Sequence, residues 1–199
     1  HDRVIEELNA IAKKQKISGI SIRGRTDMCF HPFITNHAPD ARSAMEICEL
    51  LKSRQQCPYY LNIEKRDDRF SDLKRHVTSR PYTASEVQEV CRKEKFCPYE
   101  LVKKAVAEVD VVALSYMYVF DPGVRGAFLK HLDKPLNRVM LIVDEAHNLP
   151  ETAVEIASDS LTVFTLRQAR LEAERFSRDD VADFVGKLQA LIEKLAAQV

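Results

Sequence analysis

Val139-Met140-Leu141-Ile142-Val143-Asp144-Glu145-Ala146-His147-Asn148 decides how this chain is read, because five uninterrupted apolar residues run straight into two carboxylates and a histidine. A continuous run of Val, Leu and Ile, rather than an alternating one, suits a parallel strand covered by helices on both faces, and ligands bind at the carboxyl ends of such strands. The stretch therefore predicts an α/β fold with its chemistry at Asp144 and Glu145. In a nucleotide-hydrolysing site the first carboxylate holds Mg2+, usually through its water shell, and the second orients and deprotonates the attacking water. His147 would sense either phosphate or a neighbouring motif. The plainer reading is a core strand followed by an acidic helix start, which the helix dipole favours. The full Asp-Glu-Ala-His after an apolar strand is the more specific signal.

Working outward, 199 residues suffice for one or two domains with a sizeable core, and nothing in the composition suggests disorder. The longest apolar stretch, Val111 to Phe120, is interrupted by Ser115 and too short to span a bilayer, and no charged-then-apolar leader opens the chain, so an intracellular protein is expected. Formal net charge is zero, but Lys52 to Lys104 holds 13 Lys/Arg against 8 Asp/Glu and Asp144 to Val199 holds 6 against 11. The basic segment suits a phosphate backbone, although such a mixture is also what a solvated surface looks like. Five cysteines, an odd number, argue against a full disulfide framework and for thiols or metal ligands. The chain starts on His1, and none of its five glycines belongs to a Gly-x-x-x-x-Gly-Lys-Ser/Thr phosphate loop, so it reads as an excised piece.

Asp2 to Lys16 reads as an amphipathic helix with Val4, Ile5, Leu8, Ile11 and Ala12 on one face, and Ile17 to Ile22 alternates as a strand should. Arg23-Gly24-Arg25 is then a basic turn leading to Cys29. From Cys29 to Cys97 the texture changes to that of an inserted module, with helices expected over Ala41 to Ser53 and Ala84 to Lys95 and polar loops between them too irregular for a large independent core. Four thiols at Cys29-x18-Cys48-x8-Cys57-x39-Cys97 would hold the module instead. The repeated Cys-Pro-Tyr places two of them where Pro interrupts a helix and frees a sulfur to point inward. Four thiolates suit an iron-sulfur cluster or a zinc ion; structural zinc sites usually show one tight Cys-x2-4-Cys pair, and none of these gaps is that tight. Cys91 falls with Val87 and Val90 on a helix face and reads as a small buried hydrophobe, while His31 and His37 read as loop residues.

After Cys97 come a helix through Val102 to Glu108, a strand over Val109 to Ser115, the segment Tyr116-Met-Tyr118-Val-Phe-Asp121-Pro122, and a helix from Arg125 to Leu132 that Pro135 closes. On side-chain chemistry alone, Tyr116 and Tyr118 are packing residues with polar tips. Beyond Pro150 the periodicity is helical: Ser177 with Asp180 reads as a variant capping box, and Val181, Phe184, Val185, Leu188, Leu191, Ile192 and Leu195 form one apolar face.

The Asp144-Glu145-Ala146-His147 box resembles motif II of superfamily 2 helicases, and Cys29-Phe-His31-Pro32 with Cys57-Pro-Tyr59 and Cys97-Pro-Tyr99 resembles the iron-sulfur helicases of the xeroderma pigmentosum group D family. The Tyr-x-Tyr-x-x-Asp-Pro segment is similar as well. The resemblance covers most of residues 17 to 150. It implies part of a RecA-like parallel-sheet motor domain over 1–24 and 105–150, an inserted iron-sulfur domain over 25–104, and the start of a helical arch domain over 151–199. It implies a 4Fe-4S cluster on Cys29, Cys48, Cys57 and Cys97, and Mg2+ and ATP at Asp144, with Glu145 activating water and His147 coupling hydrolysis to DNA. The activity implied is ATP-dependent 5′-to-3′ unwinding of single-stranded and forked DNA in nucleotide excision repair, with the remaining motor domain and repair-complex proteins as partners. Such a protein would be cytoplasmic in a prokaryote and nuclear in a eukaryote. Without the phosphate loop and second motor domain, this fragment alone would not hydrolyse ATP. Single-strand contact is expected from Arg25 and from the rings of Tyr59, Tyr82 and Tyr99, since rings stack on any base and cations hold phosphate. A beside-the-family alternative is a non-catalytic nucleic-acid-binding module carrying zinc.

Overall fold

The computed structural model describes residues 2–38, 40–158 and 161–197, and the chain divides into two compact units, 1–149 and 150–199. In the first unit, α1 (Asp2–Ala12) precedes β1 (Gly19–Ser21), which pairs in parallel with both β2 (Pro81–Tyr82) and β3 (Val111–Ala113) to give the order β2-β1-β3. Gly19 stands opposite Pro81 on one side and Val111 on the other. The strand alternates as its sequence implies, but with both faces covered. Ile20 and Ile22 point into the main core, whereas Gly19 faces α1 so closely that a Cβ there would lie 3.0 Å from Leu8 Cδ1. On that second face Ile5 and Leu8 of α1 bury against Ala113. Ile11, expected in the same stripe, stays exposed.

Between β1 and β2 run α2 (Arg25–Met28), α3 (Pro32–His37), α4 (Ala41–Ser53), α5 (Pro58–Lys65) and α6 (Asp67–Val77); between β2 and β3 run α7 (Ala84–Glu94) and α8 (Pro98–Ala105). This overturns the expectation of a module with little apolar core. Phe70 and Val77 of α6, Val87 and Cys91 of α7, Phe96, and Leu101 and Val102 of α8 are buried in one cluster that is continuous with Ile20 and Ile22 of the sheet. The charged stretch Glu64 to Arg69 is helical rather than a loop. Phe70, Leu73 and Val77 recur at helical spacing and bury one stripe while the charges face water.

Thr83 starts α7 with a capping box, its hydroxyl accepting from the Glu86 N–H while Glu86 accepts from the Thr83 N–H. After β3, α9 (Met117–Phe120) leads into α10 (Pro122–Leu132), which starts three residues before the expected Arg125 because Asp121 caps the Val124 N–H at 2.7 Å and Pro122 fits the first turn.

The apolar run Val139 to Val143 is not a strand. It is unpaired, with Met140 84% and Ile142 83% exposed. A strand hidden on both faces needs a ladder neighbour and covering helices, and the three-stranded sheet supplies it with neither.

In the second unit, α12 (Val163–Arg175) and α13 (Asp179–Ala196) form a helical hairpin that buries Leu166, Ala173 and Val185; α11 (Leu149–Ala157) comes before it. Ser177 is not the N-cap of α13. It sits at φ 53°, and Arg178 takes the capping position while pairing with Asp180 at 3.1 Å. Of the expected apolar face, Val185 is buried, while Phe184, Leu191 and Leu195 remain exposed. No helix among the described residues is long and apolar enough to cross a membrane.

Candidate functional site

Two helix corners with one geometry build the site. Each of α4 and α7 ends with a residue in the left-handed region, Gln55 (φ 55°) and Lys95 (φ 59°). In each, the next N–H reaches back to a carbonyl five residues earlier, Gln56 to Leu51 at 2.8 Å and Phe96 to Cys91 at 3.0 Å, which is the Schellman closure. One residue on, Cys57 and Cys97 adopt extended backbone as N-caps, and Pro58 and Pro98 open α5 and α8. The two corners are joined directly, the Cys97 N–H donating to the Tyr59 carbonyl at 3.1 Å. Superposing one corner on the other by sequence offset makes Cys91 the counterpart of Leu51. That is an apolar position, and Cys91 is accordingly fully buried in the main core.

Cys29 follows α2 directly and Cys48 lies on α4, and with Cys57 and Cys97 they line one small cavity. Arg25, Lys52, Tyr59 and Tyr99 complete the polar wall. Cys91 is absent from that lining. Burial pushes the thiols of Cys29 and Cys57 up and that of Cys97 up to about 12. Backbone N–H groups oppose this by favouring the thiolate: His31 at 3.3 Å from Cys29 Sγ, Tyr60 and Tyr59 for Cys57, and Glu100 for Cys97. Among the described residues, no three His, Cys, Asp or Glu side chains draw together into a group that would hold a single metal ion.

Of the residues expected to meet DNA, three stand at this wall. The Arg25 guanidinium lies 4.8 Å from the Tyr99 ring centre and its Nη1 donates to the Met45 carbonyl at 3.4 Å; its charge is held still more firmly than usual, neighbouring Cys48, Tyr99 and Glu100 outweighing the opposing effect of burial. Tyr59 is half-buried, edge-on to Phe30 at 5.5 Å. Tyr82 is not available to stack on a base: it is 3% exposed in the main core, with its hydroxyl 2.7 Å from His76 Nε2 and Arg80 over its ring at 3.8 Å. As a residue of β2 it belongs to the sheet. Its place after Pro81 between two helices carries that signal only once the short strand is recognised.

His31 is more than a loop residue, since it caps α3 through Nδ1, which accepts from the Phe33 N–H at 3.3 Å. His37 stacks on Phe33. Sequence reasoning passed over Lys52 and Glu100 as members of a charged surface. They form a partly buried ion pair beside the cavity, with side chains 19% and 10% exposed.

Asp144, Glu145 and His147 are exposed and lie in a turn rather than at a strand end. Glu145 has φ 50°, its N–H donates to Asp144 Oδ1 at 3.0 Å, and His147 Nδ1 is 3.3 Å from Glu145 Oε2. Tyr116 anchors the turn, its hydroxyl donating to the backbone carbonyls of Asp144 and Glu145. Tyr118, by contrast, is buried and its hydroxyl donates to the Arg23 carbonyl at 3.1 Å. The packing role with a polar tip thus holds for both tyrosines, and in Tyr116 the tip holds the acidic box.

A small parallel sheet with helices on both faces and an Asp-Glu-Ala-His box defines an α/β helicase domain. Comparison with known families makes this specific: the chain belongs to the DEAD_2 family, whose model matches residues 1–166, and its relatives are superfamily 2 helicases of the xeroderma pigmentosum group D type. It is 26% identical over 176 residues to the Fanconi anemia group J protein homolog of Gallus gallus, covering 85% of this chain and 14% of that one. It is 31% identical over 142 residues to the regulator of telomere elongation helicase 1 homolog of Anopheles gambiae, covering 71% and 13%. It is 25% identical over 157 residues to the general transcription and DNA repair factor IIH helicase subunit XPD of Schizosaccharomyces pombe, covering 76% and 20%. The chain thus spans a fifth or less of the length of these relatives.

Proposed function

We propose that this chain is part of an ATP-dependent 5′-to-3′ DNA helicase in which Cys29, Cys48, Cys57 and Cys97 hold a 4Fe-4S cluster. The observation that carries this reading is the sorting of the five cysteines, four around one cavity and Cys91 in the core. Four thiolates suit an iron-sulfur cluster, and none of the gaps between these cysteines is the tight Cys-x2-4-Cys pair usual in structural zinc sites. When bound, the cluster supplies four metal–thiolate bonds that tie α2, α4 and the two Cys-Pro corners together. The protein's part is to offer two sulfurs at helix N-termini, where backbone N–H groups favour their charged form.

Arg25, Tyr59 and Tyr99 line the same wall and would meet a single strand there, the cation taking phosphate and the rings taking bases. In the complete motor, Asp144 would position Mg2+ on ATP and Glu145 would take the proton of the attacking water, while Tyr116 fixes the backbone between them. His147, 3.3 Å from Glu145 Oε2, would couple that step to bound DNA. Forked DNA, repair-complex proteins and a role in nucleotide excision repair belong to the same proposal, and they rest on the family and on the printed names of the relatives.

The test is metal content of the full-length protein purified without oxygen. About four irons and four acid-labile sulfides per chain are expected, retained in Cys91→Ser and lost in Cys29→Ser, Cys48→Ser, Cys57→Ser or Cys97→Ser. A colourless protein that releases zinc would refute the cluster, and iron lost from Cys91→Ser but kept in Cys48→Ser would refute the assignment.

A further inference from the structure

Cys48 and Cys97 reach the cavity from two separately packed bodies. Cys48 belongs to a small cluster with Ile34 and Ala44 in which α4 packs against α3, whereas α8, behind Cys97, is buried in the main core through Leu101 and Val102. Beside the cavity the two clusters are bridged by α2, which packs on both α4 and α8, by the Cys97 N–H bond to the Tyr59 carbonyl, and by an ion pair. Lys52 lies four residues after Cys48 on α4 and Glu100 three residues after Cys97 on α8, so each stands one helical turn from its cysteine on the same side. Lys52 Nζ meets Glu100 Oε1, Lys103 Nζ stands 3.5 Å from Glu100 Oε2, and the Lys52 ammonium is 4.5 Å from the Tyr60 ring centre on the Cys57 corner.

Burial makes this pair unlike the ion pairs elsewhere on the surface. Removing Glu100 leaves Lys52 and Lys103 without their shared carboxylate in a poorly solvated place, and removing Lys52 leaves Glu100 with Lys103 alone, whereas exposed pairs are close to energetically neutral.

We infer that Lys52 and Glu100 are positioning residues for the four-thiol site, holding Cys48 and Cys97 at the separation that the bound metal–sulfur group requires. This rests on the reading of that site given above. Neither residue is itself a ligand. The pair acts by fixing α4 against α8 before and after the group is bound, so its loss should show in how tightly the group is held rather than in whether the chain folds.

The experiment uses the full-length protein loaded with iron and sulfide and follows iron release to a chelator by loss of visible absorption, well below the unfolding temperature. Lys52→Met and Glu100→Gln should each release iron about tenfold faster than the parent, as expected for loss of one partner of a partly buried pair, and should shift the iron–thiolate stretching bands in the resonance Raman spectrum. Lys52→Arg, which keeps the charge, should restore slow release. Val87→Ala, in the main core and away from the cavity, serves as the comparison for a general loss of stability. If Val87→Ala releases iron as fast at equal loss of stability, or if Lys52→Met and Glu100→Gln hold iron as long as the parent, the positioning role is overturned while the cluster reading stands. A parent protein that holds no iron would overturn both.

Discussion

Phe96→Ala asks whether apolar packing or metal holds the helices between β1 and β3. Phe96 is fully buried immediately before Cys97, edge-on to Phe70 at 5.3 Å and with the Arg66 guanidinium 5.0 Å from its ring centre. Deleting a buried Phe side chain costs about 3–5 kcal/mol, part of it the loss of an aromatic pair of about 0.5–1.5 kcal/mol. That is a large share of the roughly 5–15 kcal/mol that holds an ordinary domain. With a urea slope of about 2 kcal/mol per molar, a loss of about 4 kcal/mol moves the unfolding midpoint down by about 2 M. The assay is urea unfolding of metal-free protein followed by far-ultraviolet circular dichroism. Because the metal is absent, Cys57→Ser at the cavity wall should shift the midpoint far less than Phe96→Ala. If Phe96→Ala unfolds within about 1 kcal/mol of its parent, the main core is not what organises this region.

Three further outcomes follow from the geometry. In the complete motor, Glu145→Gln should slow ATP hydrolysis about 10²–10⁴-fold while nucleotide binding persists, measured under saturating single-stranded DNA; unchanged hydrolysis would remove Glu145 as the base. Tyr116→Phe removes the hydroxyl that holds the Asp144 and Glu145 carbonyls, so it should lower the hydrolysis rate with little change in unfolding midpoint, and a normal rate would show that the turn is held without it. Asp110 accepts from the Ser18 N–H at 2.9 Å and its hydroxyl at 2.8 Å, which, with Lys134 and Lys16 nearby, holds its carboxyl below the usual carboxylate range. A depressed folded value stabilises the fold above the unfolded pKa and is lost as pH falls through the folded one. Asp110→Asn should therefore lower the thermal midpoint at neutral pH and make little difference near about pH 2.

Periodic stretches were legible. The apolar spacing of α4 gave its bounds, Ala41–Ser53, and the alternation at Ile17 to Ile22 gave β1. The Cys-Pro-Tyr repeat pointed two sulfurs toward a common space, but Pro58 and Pro98 open helices rather than stop them, because Pro is comfortable in the first turn of a helix. The failures have separate causes. Val139 to Val143 has the composition of a central strand, but composition carries no information about whether neighbours are present to pair with it. In α6 the buried Phe70 and Val77 and the half-buried Leu73 are outnumbered by charges, so the stripe is hidden unless charged positions are set aside. Tyr82 looked accessible beside polar residues, whereas a two-residue strand is too short for any period to declare itself. At Ser177 a capping residue type was present, but the chain needed a left-handed residue there to reverse direction between α12 and α13. Lys52 and Glu100 are partners across 48 positions, a separation that no local pattern spans.

The parallel pairing of β1 with β3, closed at its entrance by Ser18 and Asp110 across 92 positions, joins segments far apart in the chain, and the search for such distant contacts slows folding. The helix corners at Cys57 and Cys97 close within six residues and need no such search. The entropy of closing the loop between β1 and β3 rises only with the logarithm of its length, about 0.6 kcal/mol for each doubling. Loops between β1 and β3 that lie outside the main core can therefore change length at little entropic cost to the sheet, provided the two corners survive.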